Sequence, residues 1–168
     1  MNLICAVDQN WGIGRENELL YHIPEDMRYF REMTKGKTLV CGKNTLFSFP
    51  GQKPLPGRVH FVLTHAKLPE NEFLFTFDSA EKLLEKIAPL PSDSVMLIGG
   101  GSVYRQLYRF CHLAYITKIY SDKVPSTVFF PNLDEDPDFE LIDEGERKKT
   151  ESGLEYAFLT YRNTRVPE

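Results

Sequence analysis

With 168 residues the chain has the size of one folded domain, and residues 1–168 are expected to form a single one. Hydrophobic residues make up 42% of it and charged residues 26%, a balance that excludes disordered and fibrous polymers. A net charge of −4, with acidic residues spread along the chain, gives no broad positive field for a nucleic-acid backbone, so any phosphate site is local.

The first ten residues, MNLICAVDQN, lack the basic start and long apolar run of a secretory signal, and no apolar stretch has membrane-spanning length. A cytoplasmic protein without membrane partners is expected. Cys5, Cys41 and Cys111 are odd in number and show no CxxC spacing, which argues against a disulfide framework and against a zinc site. They read as small buried residues, and no metal is expected.

In chain order, β-branched or aromatic runs predict strands at 3–7, 38–41, 59–63, 73–77, 95–98, 113–120, 139–143 and 156–161. Helices are predicted over 24–33, from near Lys43, over 79–88, and from Gly101 to about Arg109. Pro24 suits a first helical position, with Glu25 and Asp26 in the dipole-favoured first turn. Asp78 with Glu81 three residues on suggests a capping box for the third helix, and Pro89 ends it. The first five strands are separated by helices or long connections, which favours parallel pairing, whereas the last follow one another through loops. The expected fold is an α/β domain: a central, mostly parallel mixed sheet of about eight strands with an antiparallel C-terminal portion, flanked by about four helices.

Asp26 shares a helical face with Ile23, Met27 and Phe30. It reads either as a plain dipole partner or as a carboxylate placed in an apolar cleft, where desolvation raises its pKa. Glu25, one position away, should point to solvent. Ile98-Gly99-Gly100-Gly101-Ser102 follows a buried-looking strand and opens a helix, so backbone N–H groups could approach a pyrophosphate without Cβ interference. It matches neither GxGxxG nor GxxxxGK[ST], and consecutive glycines equally mark a strained turn. Gly42-Lys43-Asn44-Thr45 repeats the same grammar, and two such turns suit a dinucleotide. Leu63-Thr64-His65 ends another strand and, with Lys43, could meet an extra phosphate; an exposed turn is the alternative. Arg58 follows a rigid Pro-Leu-Pro-Gly turn, aimed either at a carboxylate or simply at solvent. The segment 9–20 carries Gly12 and Gly14 around Ile13 beside Trp11, the composition of a lid.

Over nearly the whole chain the pattern resembles dihydrofolate reductases, through seven motifs in order: LICAVDQNWGIG, IPEDMRYF, LVCGKNT, PLPGRVHFVLT, VMLIGGGSVYRQL, AYIT and VFFP. The resemblance implies a cytoplasmic monomer that reduces dihydrofolate with NADPH, takes antifolate-like inhibitors, and needs no metal. It assigns Asp26 as the catalytic carboxylate against the pterin, with Thr117 supporting it. Cys5, Ala6, Met27, Phe30, Phe49 and Leu55 would wall the substrate pocket, Arg58 would hold the glutamate α-carboxylate, and Lys53 would stand at the rim. NADPH would lie across Gly42, Lys43, Asn44 and Thr45, across Leu63, Thr64 and His65, and across Ile98, Gly99, Gly100, Gly101, Ser102, Val103 and Tyr104. Its nicotinamide would sit beneath Ala6, Ile13 and Gly14. The resemblance also implies a cis peptide at Gly99-Gly100, and a proton that reaches pterin N5 through water.

Three departures stand out. Leu20-Tyr21 replace a common Pro-Trp, so an aromatic that helps hold a water becomes a phenol. Thr127 stands where an acidic residue often ties the neighbouring loop to the lid, and Ser102 replaces the Arg of some relatives, which shifts NADP preference onto Lys43, Thr64 and His65. A reductase of another heterocycle on the same fold, or a noncatalytic nucleotide-binding module, would keep the glycine turns while lacking dihydrofolate turnover.

Overall fold

The first strand, β1 (Asn2–Val7), is buried along almost its whole length, the signature of a central parallel strand covered on both faces. The computed structural model describes residues 1–14 and 20–166. After β1 come β2 (Gly12–Gly14), α1 (Pro24–Thr34), β3 (Thr38–Gly42), α2 (Lys43–Phe47), β4 (Val59–Leu63) and β5 (Leu74–Phe77). Then follow α3 (Ala80–Ile87), β6 (Val95–Gly99), α4 (Gly101–Leu107), β7 (Leu113–Ile119), β8 (Val128–Phe129), β9 (Phe139–Glu144), β10 (Lys148–Lys149) and β11 (Glu155–Asn163).

Among the described residues the main sheet has nine strands in the order β10-β11-β7-β1-β6-β3-β4-β5, with β9 also paired to β11. From β7 to β5 every pairing is parallel. β11 runs antiparallel to β7, and β9 and β10 run antiparallel to β11. The expected mostly parallel sheet with an antiparallel C-terminal portion is therefore present, flanked by four α-helices among the described residues. The short pair β2 and β8 forms a second, two-stranded sheet, and at two or three residues each these strands are too short to carry a periodic signal.

One correction concerns α3. Its N-cap is Ser79, whose side chain accepts from the Lys82 N–H, while Asp78 pairs with the Lys82 ammonium at 2.9 Å. Both residues are good caps by type, and sequence order alone does not choose between them.

Alternation along the strands divides the core between the two sheet faces. Leu3, Val7, Val40, Phe61 and Leu97 pack on one face with Leu83 of α3 and Leu107 of α4. Ile4, Leu39, Cys41, Val62 and Ile98 pack on the other with Tyr29, Phe30 and Met33 of α1. All three cysteines are buried and free of disulfides. Leu97 is fully buried in β6. Leu97→Ala is expected to lower the unfolding free energy by about 2–5 kcal/mol, read as a drop in the urea midpoint without change in slope. Among the described residues no helix is long and apolar enough to cross a membrane.

Candidate active site

Parallel strands deliver their carboxyl ends to one edge of the sheet, and in open α/β folds ligands collect there. β1, β6, β3 and β4 end at Val7, Gly99, Gly42 and Leu63, so the turns singled out in the sequence all leave the same edge. Asp26 reaches that region from the first turn of α1, where Pro24 stands at the helix start.

Asp26 is half-buried, and the hydroxyl of Thr117 donates to its Oδ1 at 2.6 Å. Thr117 pairs in register with Ala6, which fixes the carboxylate above the junction of β1 and β7. Burial raises the pKa of Asp26, and the Thr117 hydrogen bond pulls it down by less. Glu25 does not simply point to solvent. Lys148 pairs with its Oε1 at 2.7 Å, and the Tyr156 hydroxyl donates to its Oε2, which ties α1 to β10 and β11. Those two partners hold the Glu25 carboxyl below the usual range.

The two glycine turns face each other. β3 and β6 are neighbours with Cys41 opposite Gly99, and a Cβ on Gly100 would stand 3.4 Å from Thr45 Oγ1. A Cβ on Gly42 would stand 3.1 Å from Val103 Cγ2, and one on Gly101 would run into Val128 while lying 3.8 Å from Ile13. Gly99 has φ +116°, and the Gly99-Gly100 peptide is cis. The glycines let the two turns and the side chains of Val103, Tyr104 and Val128 pack closely, and they leave backbone N–H groups at the edge where a phosphate-bearing dinucleotide would bind. Lys43, Thr45, Leu63 and Thr64 are half-buried around it, and Asn44, His65 and Ser102 are exposed. Ile98, Val103 and Tyr104 are buried, and the Tyr104 hydroxyl donates to the Ile4 carbonyl at 2.6 Å.

Phe30, Phe49 and Leu55 gather in one cluster on the α1 face of the sheet, and Met27 is exposed beside Asp26. Cys5 and Ala6 separate: Cys5 is buried with Val7, Trp11 and Tyr104 on the opposite face, whereas Ala6 lies with Ile23 and Tyr21. Arg58 is half-buried and oriented by three acceptors, with Nε to Thr34 Oγ1 at 3.1 Å, Nη1 to the Pro56 carbonyl at 2.6 Å and Nη2 to the Arg31 carbonyl at 2.9 Å. A guanidinium has five N–H donors, so two remain for an incoming carboxylate. Lys53 is exposed at the end of the same connection.

Of the lid segment 9–20, residues 15–19 lie outside the described residues. Its first part is strongly held. Trp11 stacks on Phe130 at 6.2 Å, meets Tyr161 edge-on at 5.9 Å, and carries the Lys118 ammonium 4.3 Å over its ring. β2 pairs with β8, and the Thr127 N–H donates to the Gly14 carbonyl at 2.9 Å. The acid absent at position 127 has a counterpart at Asp8, in the turn between β1 and β2. Buried Asp8 accepts from the N–H groups of Asn10 and Gly12, each at 2.8 Å, and from the Ser126 hydroxyl at 2.7 Å. The Tyr21 phenol shares a hydrogen bond with Ser121 at 2.8 Å and accepts from the Val124 N–H. A cavity of about 10 Å³ between Ala6, Asp8, Gly12, Ile13, Tyr21 and Ile119 is of the order of one water.

Sequence reasoning missed Ile4, whose contribution here is a backbone carbonyl and so leaves no trace in residue type. It also missed Asp8 and Ser126, whose partnership is a matter of folding. Among the described residues no group of three or more His, Cys, Asp or Glu could hold a metal ion.

A mostly parallel sheet with a desolvated carboxylate and a glycine cradle on its carboxyl edge defines a nucleotide-type α/β enzyme site. Comparison with known proteins makes this specific. The family model for dihydrofolate reductase matches residues 1–163. The chain is 32% identical over 163 residues to dihydrofolate reductase of Bacillus subtilis, covering 96% of this chain and 93% of the relative. It is 34% identical over 132 residues to the Haemophilus influenzae enzyme, covering 79% of each. A solved structure of Enterococcus faecalis dihydrofolate reductase, complexed with NADP(H) and RAB-propyl, superposes with a TM-score of 0.78 at 28% identity, covering 96% of this chain and 95% of that one. The chain belongs to the dihydrofolate reductase family.

Proposed function

We propose that the carboxyl edge of the sheet is the active site for NADPH-dependent reduction of dihydrofolate to tetrahydrofolate, with Asp26 as the catalytic carboxylate. The protein is an oxidoreductase of one-carbon metabolism by its family. The observation that carries the assignment is the half-buried Asp26, anchored by Thr117 at the edge where the two glycine turns converge.

NADPH, when bound, supplies the hydride for pterin C6. The chain's own residues do the rest. Asp26 takes hydrogen bonds from the pterin's 2-amino group and ring nitrogen and polarises the ring toward protonation. The proton for N5 arrives through water, because Asp26 is placed to hold the opposite side of the heterocycle. Phe30, Phe49 and Leu55 exclude water from the benzoyl group, Met27 and Lys53 border the cleft, and Arg58 receives the glutamate α-carboxylate in a bidentate pair. Ala6, Ile13 and Gly14 cover the nicotinamide. Gly42 to Thr45 and Ile98 to Tyr104 hold the phosphates, and Lys43, Thr64 and His65 select the extra phosphate of NADP. In this reading residues 1–168 act as one domain and as a cytoplasmic monomer, without nucleic-acid or membrane partners, and the pterin cleft also takes antifolate-like inhibitors.

The test follows loss of reduced-nicotinamide absorbance when purified protein meets NADPH and dihydrofolate, with NADH and folate-free controls. Dihydrofolate-dependent oxidation that prefers NADPH is expected. NADPH binding without oxidation would point to a noncatalytic module or a reductase of another heterocycle.

A further inference from the structure

His60 stands fully buried in β4, on the sheet face that carries Phe30, Phe49 and Leu55. Its Nε2 accepts the backbone N–H of Leu55 at 3.1 Å, and its ring meets Phe49 edge-on at 5.9 Å between centroids. Since Nε2 is the acceptor, the ring hydrogen is on Nδ1. A buried imidazole in this tautomer is an unusual support for a surface turn, because protonation at Nε2 destroys the lone pair that Leu55 uses.

We infer that His60 is a positioning residue for the substrate's benzoylglutamate tail, holding the 53–58 turn so that Leu55 and Arg58 meet it, and releasing the turn when its ring is protonated. The inference rests on the reading of Leu55 and Arg58 as the tail site. Burial pushes the imidazole's pKa down by more than the backbone carbonyls of Phe73 and Arg58 raise it. The charged group that faces the ring is Arg58, which disfavours a second cation. Neutral His60 is therefore the working state at physiological pH, and the turn loosens only as pH falls through the ring's own lowered pKa, which lies beneath the ordinary histidine value of about 6.5.

The experiment compares parent, His60→Leu and His60→Asn by fluorescence titration with dihydrofolate and with a dihydropterin that lacks the benzoylglutamate. His60→Leu is expected to raise the dihydrofolate Kd about tenfold and to leave the short pterin within about twofold, since one buried hydrogen bond to the tail turn is lost. His60→Asn keeps a short acceptor that does not titrate, so it should recover most of the dihydrofolate affinity and lack the part of the parent's acid weakening that the short pterin, which also meets Asp26, does not share. Equal weakening of both ligands by His60→Leu, or a dihydrofolate Kd unchanged by it, overturns the inference. So does an acid-dependent Kd in His60→Asn that matches the parent's, a readout that stands even where His60→Leu does not fold. A parent that binds the two ligands equally well would instead overturn the tail site itself.

Discussion

Asp26→Asn is expected to lower kcat with dihydrofolate by about 10²–10⁴-fold at neutral pH, the range for loss of a positioned acid–base group, while NADPH still binds. The amide fills the same space, so the loss isolates the carboxylate's charge. Burial raises the pKa of Asp26 and Thr117 offsets part of that rise, so the folded carboxyl titrates above its unfolded value. Between those two values the folded state binds more protons than the unfolded state, and stability falls as pH rises through the folded pKa. At neutral pH Asp26 therefore carries a desolvation cost that Asn lacks. The variant is expected to be at least as resistant to urea as the parent, and its pH–rate profile should lose the inflection displaced above the ordinary carboxylate range. Retained turnover, or a parent-like inflection in the variant, would remove Asp26 from the chemistry.

The division between what was legible in the sequence and what was not follows the range of the interactions. Continuous apolar runs such as 95–98 and the glycines after them are local signals, and they mark both a central strand and the cradle at its end. Asp26 is legible for the same reason, since its apolar neighbours lie within one helical turn. The Asp8–Ser126 hydrogen bond joins residues 118 positions apart, and nothing near either one announces the other. His60 reads as an ordinary inward residue of an alternating strand, and only the returning 53–58 turn gives its ring a task. Cys5 and Ala6 are adjacent in the chain yet belong to opposite sheet faces, a separation that follows from strand alternation once the strand is known to be buried on both sides.

Gly12 is where the attachment of β2 can be broken with one methyl group. A Cβ there would fall inside the van der Waals shells of Ser126 Oγ and Cβ and stand 2.7 Å from Asp8 Oδ2, within the hydrogen-bonded cluster that joins β2 to the loop before β8. Neither neighbour can retreat freely, because Asp8 is buried and Ser126 is followed directly by the Thr127 N–H bonded to Gly14. Gly12→Ala should therefore displace Ile13 and Gly14, which are proposed to cover the nicotinamide, and a displacement of about 1 Å is enough to cost on the order of 10²-fold in kcat/KM for NADPH. Ser126→Gly alone gives up one hydrogen bond and should cost only a few-fold, on the order of 1 kcal/mol. Combined with Gly12→Ala it removes the larger obstacle, so the double variant is expected to outperform Gly12→Ala although it carries one more defect. That reversal of sign in a double-mutant cycle distinguishes a steric conflict at Ser126 from a general intolerance of β2 to side chains. A double variant as poor as Gly12→Ala would place the conflict at Asp8 instead.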